Sequence, residues 1–519
     1  MWMFYFSSII IFIGALSWLI KKWFSKDDWK TVGPMGVLML CYLAYCGFGP
    51  ALVMSFSGDK DVTYLGVDLA DYAFTSGLIS LVSFISVMIG YRMTKDRVPV
   101  GVVTVTPPQK LGSAWHWGLW LYFLGFIALI IAHRFSFGNM YNIAGGDLTE
   151  MALQYDLGGF IKYINGLNGL MRAMTIFLVL VALFSKSLFK MAIAGFLFCN
   201  TCLLVLASGF RQQIAFLFLM VICMAILYYR GKPNWTRGGK KNLLVKISWL
   251  VVGLFFLISA MSIGRSYGKG VDFERVSQTS FAEKLVAPFS ETASVYFGGG
   301  LTCEYVERRG EYTFLKPLWA TLLRAIPRQW CSLEMVEAKD NPPTLFNIYS
   351  ALSEENGAPV EQNRAAGMAT LSYYEYYQMF GWLGVVLLSA LLGSVCKRIE
   401  NYKAINPGFI TSLSYILHSG FIFIYFHRGM MGQQANSYVF GVLIPLLLVK
   451  YFNKKSAFDL WALVKRKVNF GRSTDSQAPA NQLPPQFTGR GQQRPHVGGY
   501  YNRFPQTQKQ SQTDNNLKK

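Results

Sequence analysis

Apolar runs of about twenty residues recur along the chain, each bounded by a short polar stretch, and an α-helix needs roughly that many residues, at about 1.5 Å each, to cross a hydrocarbon core. The pattern predicts eleven spans, near residues 1–20, 32–55, 72–91, 114–133, 168–185, 191–208, 213–229, 247–264, 378–396, 408–427 and 438–452. Lipid offers no partner for an unpaired backbone group, so the spans are expected as helices. Between the eighth and ninth lies one long segment, 265–377. The predicted fold is an all-α integral membrane protein with about 11 transmembrane helices and one long extracytoplasmic loop containing short amphipathic helices.

Lysine and arginine set the orientation, because short cytoplasmic loops keep an excess of them. Loops 21–31, 92–113, 186–190, 230–246, 397–407 and 450–467 hold 25 Lys and Arg, against five in the opposite short loops 56–71, 134–167, 209–212 and 428–437. The N-terminus is therefore expected outside and the C-terminus in the cytoplasm. Met1–Ile20 has no basic leading segment and no small-residue cleavage site, and Lys21, Lys22 and Lys26 follow it. That predicts a retained first span rather than a signal peptide. The organisation is then a bundle of eight spans over 1–264, an extracytoplasmic loop over 265–377, three last spans over 378–452, a basic cytoplasmic juxtamembrane segment over 453–470, and a cytoplasmic tail over 471–519. From Asn481 to Lys519 the tail is rich in Gln, Pro, Asn, Gly and Arg and poor in aliphatics, which predicts disorder.

The chain is 52% hydrophobic and 15% charged, more apolarity than one soluble core hides, in keeping with membrane residence. Its net charge of +21 does not point to nucleic acid: over half of the basic residues sit in loops where topology and anionic headgroups account for them. No zinc, RNA-binding or helix-turn-helix signature is present. Cys41, Cys46, Cys199, Cys202, Cys223 and Cys396 fall in spans and read as packing residues. Cys199-x-x-Cys202 has no second Cys or His pair beside it, so no metal is expected there. Cys303 and Cys331 share the long loop and, in an oxidising space, are expected to form a disulfide.

Seven arginines, Arg134, Arg211, Arg265, Arg324, Arg328, Arg364 and Arg428, fall at or beyond the outward ends of spans, a pattern suited to an anionic substrate. In the long loop Leu315, Leu318, Trp319, Leu322 and Ile326 recur at helical spacing, while Arg324 and Arg328, one turn apart, take the other side. This is the pattern of a helix lying on the membrane surface, where two guanidinium groups can grip a diphosphate in bidentate fashion. Snorkelling arginines give the same pattern without a ligand. Pro327 should kink or end the helix.

Several stretches resemble one family. They are Pro288-Phe-Ser-Glu291 through Tyr296-Phe-Gly-Gly-Gly300, and Pro317-Leu-Trp319 followed by Arg324-Ala-Ile-Pro327-Arg328. To these add Leu371-Ser-Tyr-Tyr-Glu375 leading to Phe380-Gly381-Trp-Leu-Gly384, Ser208-Gly-Phe-Arg211, and His427-Arg428-Gly429. Over roughly 200–440 the chain is similar to the bacterial O-antigen and capsule repeat-unit polymerases, the Wzy-type polysaccharide polymerases. It departs from those members that carry paired Arg-x15-Gly and Arg-x10-Gly motifs, since among the outward arginines only Arg134 to Gly145 fits the shorter spacing and none fits the longer. The resemblance implies an enzyme of the bacterial inner membrane. It would transfer a growing glycan from undecaprenyl diphosphate to the non-reducing end of an incoming lipid-linked repeat unit, without metal or cofactor, and a chain-length regulator is the kind of protein partner implied. Arg211, Arg265, Arg324, Arg328 and Arg428 are then the expected diphosphate-binding residues, and Glu375, Glu291 and His427 the candidates for activating the attacking hydroxyl.

Blander readings stand beside these roles. A glutamate at a helix start complements the macrodipole, and a lone histidine beside an arginine is commonly a hydrogen-bonding neighbour. Tyr373, Tyr374, Tyr376 and Tyr377 fit either sugar stacking or an interfacial aromatic belt. An O-antigen ligase or another polyprenyl-phosphate-dependent glycosyltransferase fits the same spans; a metal-dependent one would use Asp59, Asp61, Asp68 and Asp71. A polysaccharide transporter or flippase usually places ionisable groups at mid-membrane, where Arg172 is almost the only one.

Overall fold

The computed structural model describes residues 1–57, 63–64, 67–97, 99, 102–132, 158–207, 211–232, 235, 237–266, 270–271, 273–324, 326, 330–335, 370–429 and 431–454. The predicted tail lies outside them, as do Arg134, Arg328, Arg364, Asp59 and Asp61. Among the described residues ten helices are long and apolar enough to span a membrane, and Val439–Phe452 adds a shorter apolar segment at the predicted eleventh position.

In chain order the elements are α1 (Trp2–Trp23), α2 (Pro34–Tyr42) running through a π turn into α3 (Gly49–Ser57), α4 (Ala73–Met93), α5 (Leu111–Ala132), α6 (Gly158–Ser185), α7 (Leu188–Ala207), α8 (Arg211–Arg230) and α9 (Arg237–Gly264). After these come α10 (Phe273–Gln278), α11 (Phe281–Arg309), α12 (Lys316–Arg324), α13 (Ser372–Ile405), α14 (Phe409–Arg428), α15 (Met431–Tyr438), a π turn Val439–Leu443, and α16 (Ile444–Lys454). Two antiparallel two-residue ladders, Thr63–Tyr64 with Val67–Asp68 and Arg265–Ser266 with Gly270–Val271, are the only strands among the described residues. The eighth span starts earlier than expected because Lys240, Lys241 and Lys246 continue its helix: lysine is a good helix former whose stem lies comfortably on an apolar surface.

Two cores hold the bundle. One gathers Trp117, Tyr122, Phe177, Met220 and Leu413 from α5, α6, α8 and α14; the other gathers Phe4, Tyr42, Phe84, Phe297 and Tyr373 from α1, α2, α4, α11 and α13. Between α4 and α13 the backbones touch: a Cβ on Gly90 would collide with the Ala390 carbonyl, and one on Gly393 with that of Val87. Lipid-bathed helices gain little from burying apolar surface, so such small-residue contacts and hydrogen bonds such as Ser83 to Ser389 at 2.9 Å hold them together.

Lysines and carboxylates gather at one end of the bundle. Arg230 Nε sits 2.9 Å from Asp28 Oδ1, and Trp235 Nε1 donates to Asp28 Oδ2 at 2.9 Å. Lys30 pairs with Asp27 at 2.9 Å, and Lys397 pairs with Asp96, whose carboxyl this hydrogen bond holds below its ordinary range.

The segment 265–377 contributes more than loop. Helix α11 starts with a capping box, Ser280 accepting from the Glu283 amide at 3.2 Å while Glu283 reaches back to the Ser280 amide at 3.0 Å, and it ends on Gly310 at φ 66°. It runs across the bundle. Ser259 of α9 donates to the Lys284 carbonyl, Phe289 packs on Phe255 and Phe48 with centroids 5.9 and 5.4 Å apart, and Tyr296 bonds Ser80 Oγ at 3.0 Å. Gly299 and Gly300 leave room for the Tyr374 ring and Ser76. Its glutamates and arginines lower the mean hydropathy and hide this burial from a sequence scan.

The ninth span is two helices. Phe380 (φ −142°, ψ 19°) and Gly381 (φ 60°, ψ −146°) break α13 into a short arm, 372–379, and a long one, 382–405. The turn is tight enough that a Cβ on Gly384 would strike the Tyr376 carbonyl. Every residue of the short arm is buried. Tyr373, Tyr374, Tyr376 and Tyr377 are at most 2% exposed and pack within the bundle rather than forming an interfacial belt. Irregular backbone at membrane depth is tolerated where protein surrounds it, as here.

Candidate active site at the end opposite the lysines

The end of the bundle opposite the lysines holds a cleft of about 100 Å³. Helix α6 contributes Arg172, α8 Gln213, α14 Arg428, and α15 Gln434 and Ser437. The apolar floor is Phe216, Phe421 and Ile424. Phe421, Ile424 and Arg428 recur at i, i+3 and i+7, which puts them on one face of α14. A Cβ on Gly169 would sit 3.1 Å from the Gly441 nitrogen, so the bare glycine lets α6 close against the π turn. The chain leaves Arg428 through Gly429, at φ 51°, where a Cβ would lie 2.7 Å from the Thr370 carbonyl.

Arg172 is a guanidinium on a membrane span, and its Nε donates to the Asn168 carbonyl one turn back at 3.3 Å. Near it, Gln213 Oε1, Gln434 Oε1 and Asn168 Oδ1 are buried with no hydrogen-bond partner among the described residues. The cleft therefore combines two cations, suited to phosphate oxygens, with amides whose partners are missing.

Glu375 lies on the short arm of α13, 7% exposed, within electrostatic reach of Tyr376 and Tyr425. Those hydroxyls are 2.8 Å apart, and the Tyr425 ring stacks on Phe421 of the cleft floor at 6.2 Å. Tyr425 thus touches the cleft floor and lies within electrostatic reach of the carboxylate. His427 turns elsewhere: its ring centroid is 4.7 Å from that of Tyr45 and 6.0 Å from that of Phe423, and successive helical residues diverge by about 100°, so it does not share the cleft with Arg428.

Of the five expected diphosphate-binding arginines, the described side chains bring Arg428 to the cleft. Arg211 starts α8, two residues before Gln213; Arg324 ends α12, which packs on α15; and Arg265 opens a short ladder. The side chains of these three and of Glu291, inside α11, are not among those described. The expected surface stripe on α12 is present, with Leu315, Leu318, Trp319 and Leu322 exposed and Ala320 and Leu323 buried. The expected disulfide is not: no bridge joins Cys303 and Cys331, because Cys303 sits on the inner face of α11, fully buried with its Sγ 3.9 Å from the Tyr374 carbonyl. Among the described residues no three His, Cys, Asp or Glu side chains converge as metal ligands. Gln213, Gln434 and Asn168 escaped sequence reasoning, since an isolated amide has no pattern; Arg172 carried a signal in being charged within an apolar run.

A bundle of this many apolar spans is a multi-pass membrane protein, and one of its ends carries a cleft lined by two guanidinium and two amide side chains. The model of the family described as O-antigen polysaccharide polymerase Wzy matches residues 1–456, and the chain belongs to that family. It is a glycosyltransferase-type enzyme that polymerises O-antigen repeat units, acting on lipid-linked oligosaccharides in a membrane. No curated protein and no solved structure matches the chain.

Proposed function

We propose that the chain transfers the growing glycan from undecaprenyl diphosphate to the non-reducing end of the incoming lipid-linked unit, at the cleft between α6, α8, α14 and α15. The observation that carries this reading is that Arg172 and Arg428, from two separate helices, line one cleft. In the step, a hydroxyl oxygen of the acceptor sugar attacks the anomeric carbon of the donor. A glycosidic C–O bond forms, the anomeric carbon to phosphate oxygen bond breaks, and its electron pair leaves on undecaprenyl diphosphate. The hydroxyl proton passes to a side-chain base, for which Glu375 is the first candidate and Glu291 the alternative; His427, whose ring packs on Tyr45 and Phe423, is placed last. Guanidinium groups fixed where the leaving diphosphate gains charge stabilise the transition state more than the ground state. Arg211, Arg265, Arg324 and Arg328 are further candidate contacts to diphosphate.

The cleft end is assigned to the outer face of the bacterial inner membrane, with the N-terminus outside, the C-terminus cytoplasmic, and a chain-length regulator as partner. The excess of Lys and Arg in the opposite loops supports that orientation. The test is the surface-glycan ladder beside the lipid-linked pool in cells carrying Arg428→Ala or Arg428→Lys. Single repeat units should accumulate on the carrier with little polymer, because an ammonium cannot reproduce a two-bond fork. Long polymer left on the carrier would instead mark a ligase, and a full ladder from both variants at normal membrane abundance would refute the clamp.

A further inference from the structure

We infer that Gln213 and Gln434 hold hydroxyls of the sugar joined to the diphosphate, so that the cleft reads the first sugar as well as the charge. The inference rests on the cleft being the diphosphate site proposed above. Helix α15 is an eight-residue polar segment, MGQQANSY, set between spans directly after the Gly429 turn. It presents Gln434, only 4% exposed, to the cleft that Arg428 and Arg172 also line. Gln213 faces the same cleft from α8.

Both amide oxygens are buried without a partner among the described residues, and leaving such an acceptor unmade costs about 1–3 kcal/mol. Each amide carries an acceptor at one end and a donor at the other. A sugar hydroxyl donates and accepts, and satisfies either end. Arginine's charged planar fork favours phosphate oxygens, whereas a neutral amide, both donor and acceptor, matches a hydroxyl. Two cations and two orphaned amides in one cleft therefore match the junction between a diphosphate and its first sugar. A site built to bond a hydroxyl also discriminates strongly against a sugar lacking it, because its polar group is then stranded again.

The experiment measures binding to the purified full chain in lipid nanodiscs. Two probes are compared, undecaprenyl diphosphate without sugar and the lipid-linked repeat unit extracted from cells lacking the polymerase. Gln434→Leu and Gln213→Leu, close in size to glutamine, should each weaken the glycan-bearing ligand roughly three- to tenfold while leaving undecaprenyl diphosphate unchanged. Gln213→Ala is the second variant, and a melting curve confirms that each protein is folded. Equal loss for both probes, or no loss for either, overturns the sugar assignment. If the wild type does not bind undecaprenyl diphosphate while the glutamine variants still weaken the glycan-bearing ligand, the diphosphate reading fails and the sugar contacts stand.

Discussion

Replacing Arg172 by Met separates binding from stability. A charge at the centre of a membrane helix costs about 2.5–3.5 kcal/mol on insertion scales, and Arg172 lies towards the cleft end of the span Leu167–Ser185, where the cost is smaller. The contact recorded for it is to the Asn168 carbonyl at 3.3 Å, a neutral acceptor on its own helix, so no buried anion is stranded by the change. Met is unbranched and fills irregular space, so the melting temperature should hold or rise. Binding should behave otherwise. Hydrogen bonds to a charged group contribute about 1.5–3 kcal/mol, and each 1.4 kcal/mol is tenfold, so Arg172→Met should weaken undecaprenyl diphosphate about 10- to 100-fold. Arg172→Lys keeps the charge without the planar fork and should fall between. The assay is Kd in nanodiscs beside a melting curve for each variant. An unchanged Kd with an unchanged melting temperature refutes the reasoning; a large drop in melting temperature would show instead that Arg172 ties α6 to the bundle.

Gly384→Ala should sharply lower membrane abundance because its Cβ meets the Tyr376 carbonyl, and Gly381→Ala should cost about 1–3 kcal/mol for its backbone conformation; Gly112→Ala, with nothing within 4 Å of the new atom, is the control, and near-normal abundance of the Gly384 variant would deny the tight turn. Reporters fused near Gly310 should sit outside and those after Lys240 in the cytoplasm, and a cytoplasmic signal at Gly310 would invert the orientation. Cys303 should resist thiol reagents until the protein is denatured, and both it and Cys331 should then label without reductant; a disulfide between them would show that the inner face of α11 is misplaced. Truncation after Gly471, beyond the family match ending at residue 456, should leave the glycan ladder unchanged, and loss of polymer at normal abundance would reveal a function in the tail.

The spans were legible in the sequence because the membrane makes them local: a helix closes its own hydrogen bonds, and its apolar length need only match the hydrocarbon. The prediction of 408–427 met a helix Phe409–Arg428, and 168–185 met a span Leu167–Ser185. The Phe380-Gly381 and Gly384 pattern was visible too, although nothing local said that it folds one helix back on another or that the tyrosines before it face inward. Which helices touch was a tertiary matter. It depends on close approaches at Gly90, Gly169, Gly299 and Gly393, and each requires a partner far away in the chain. The site followed the same division. Arg428 could be suspected as a cation at a span's end, but its convergence with Arg172, Gln213 and Gln434 brings together three spans and a short polar helix, and no stretch of sequence contains that geometry.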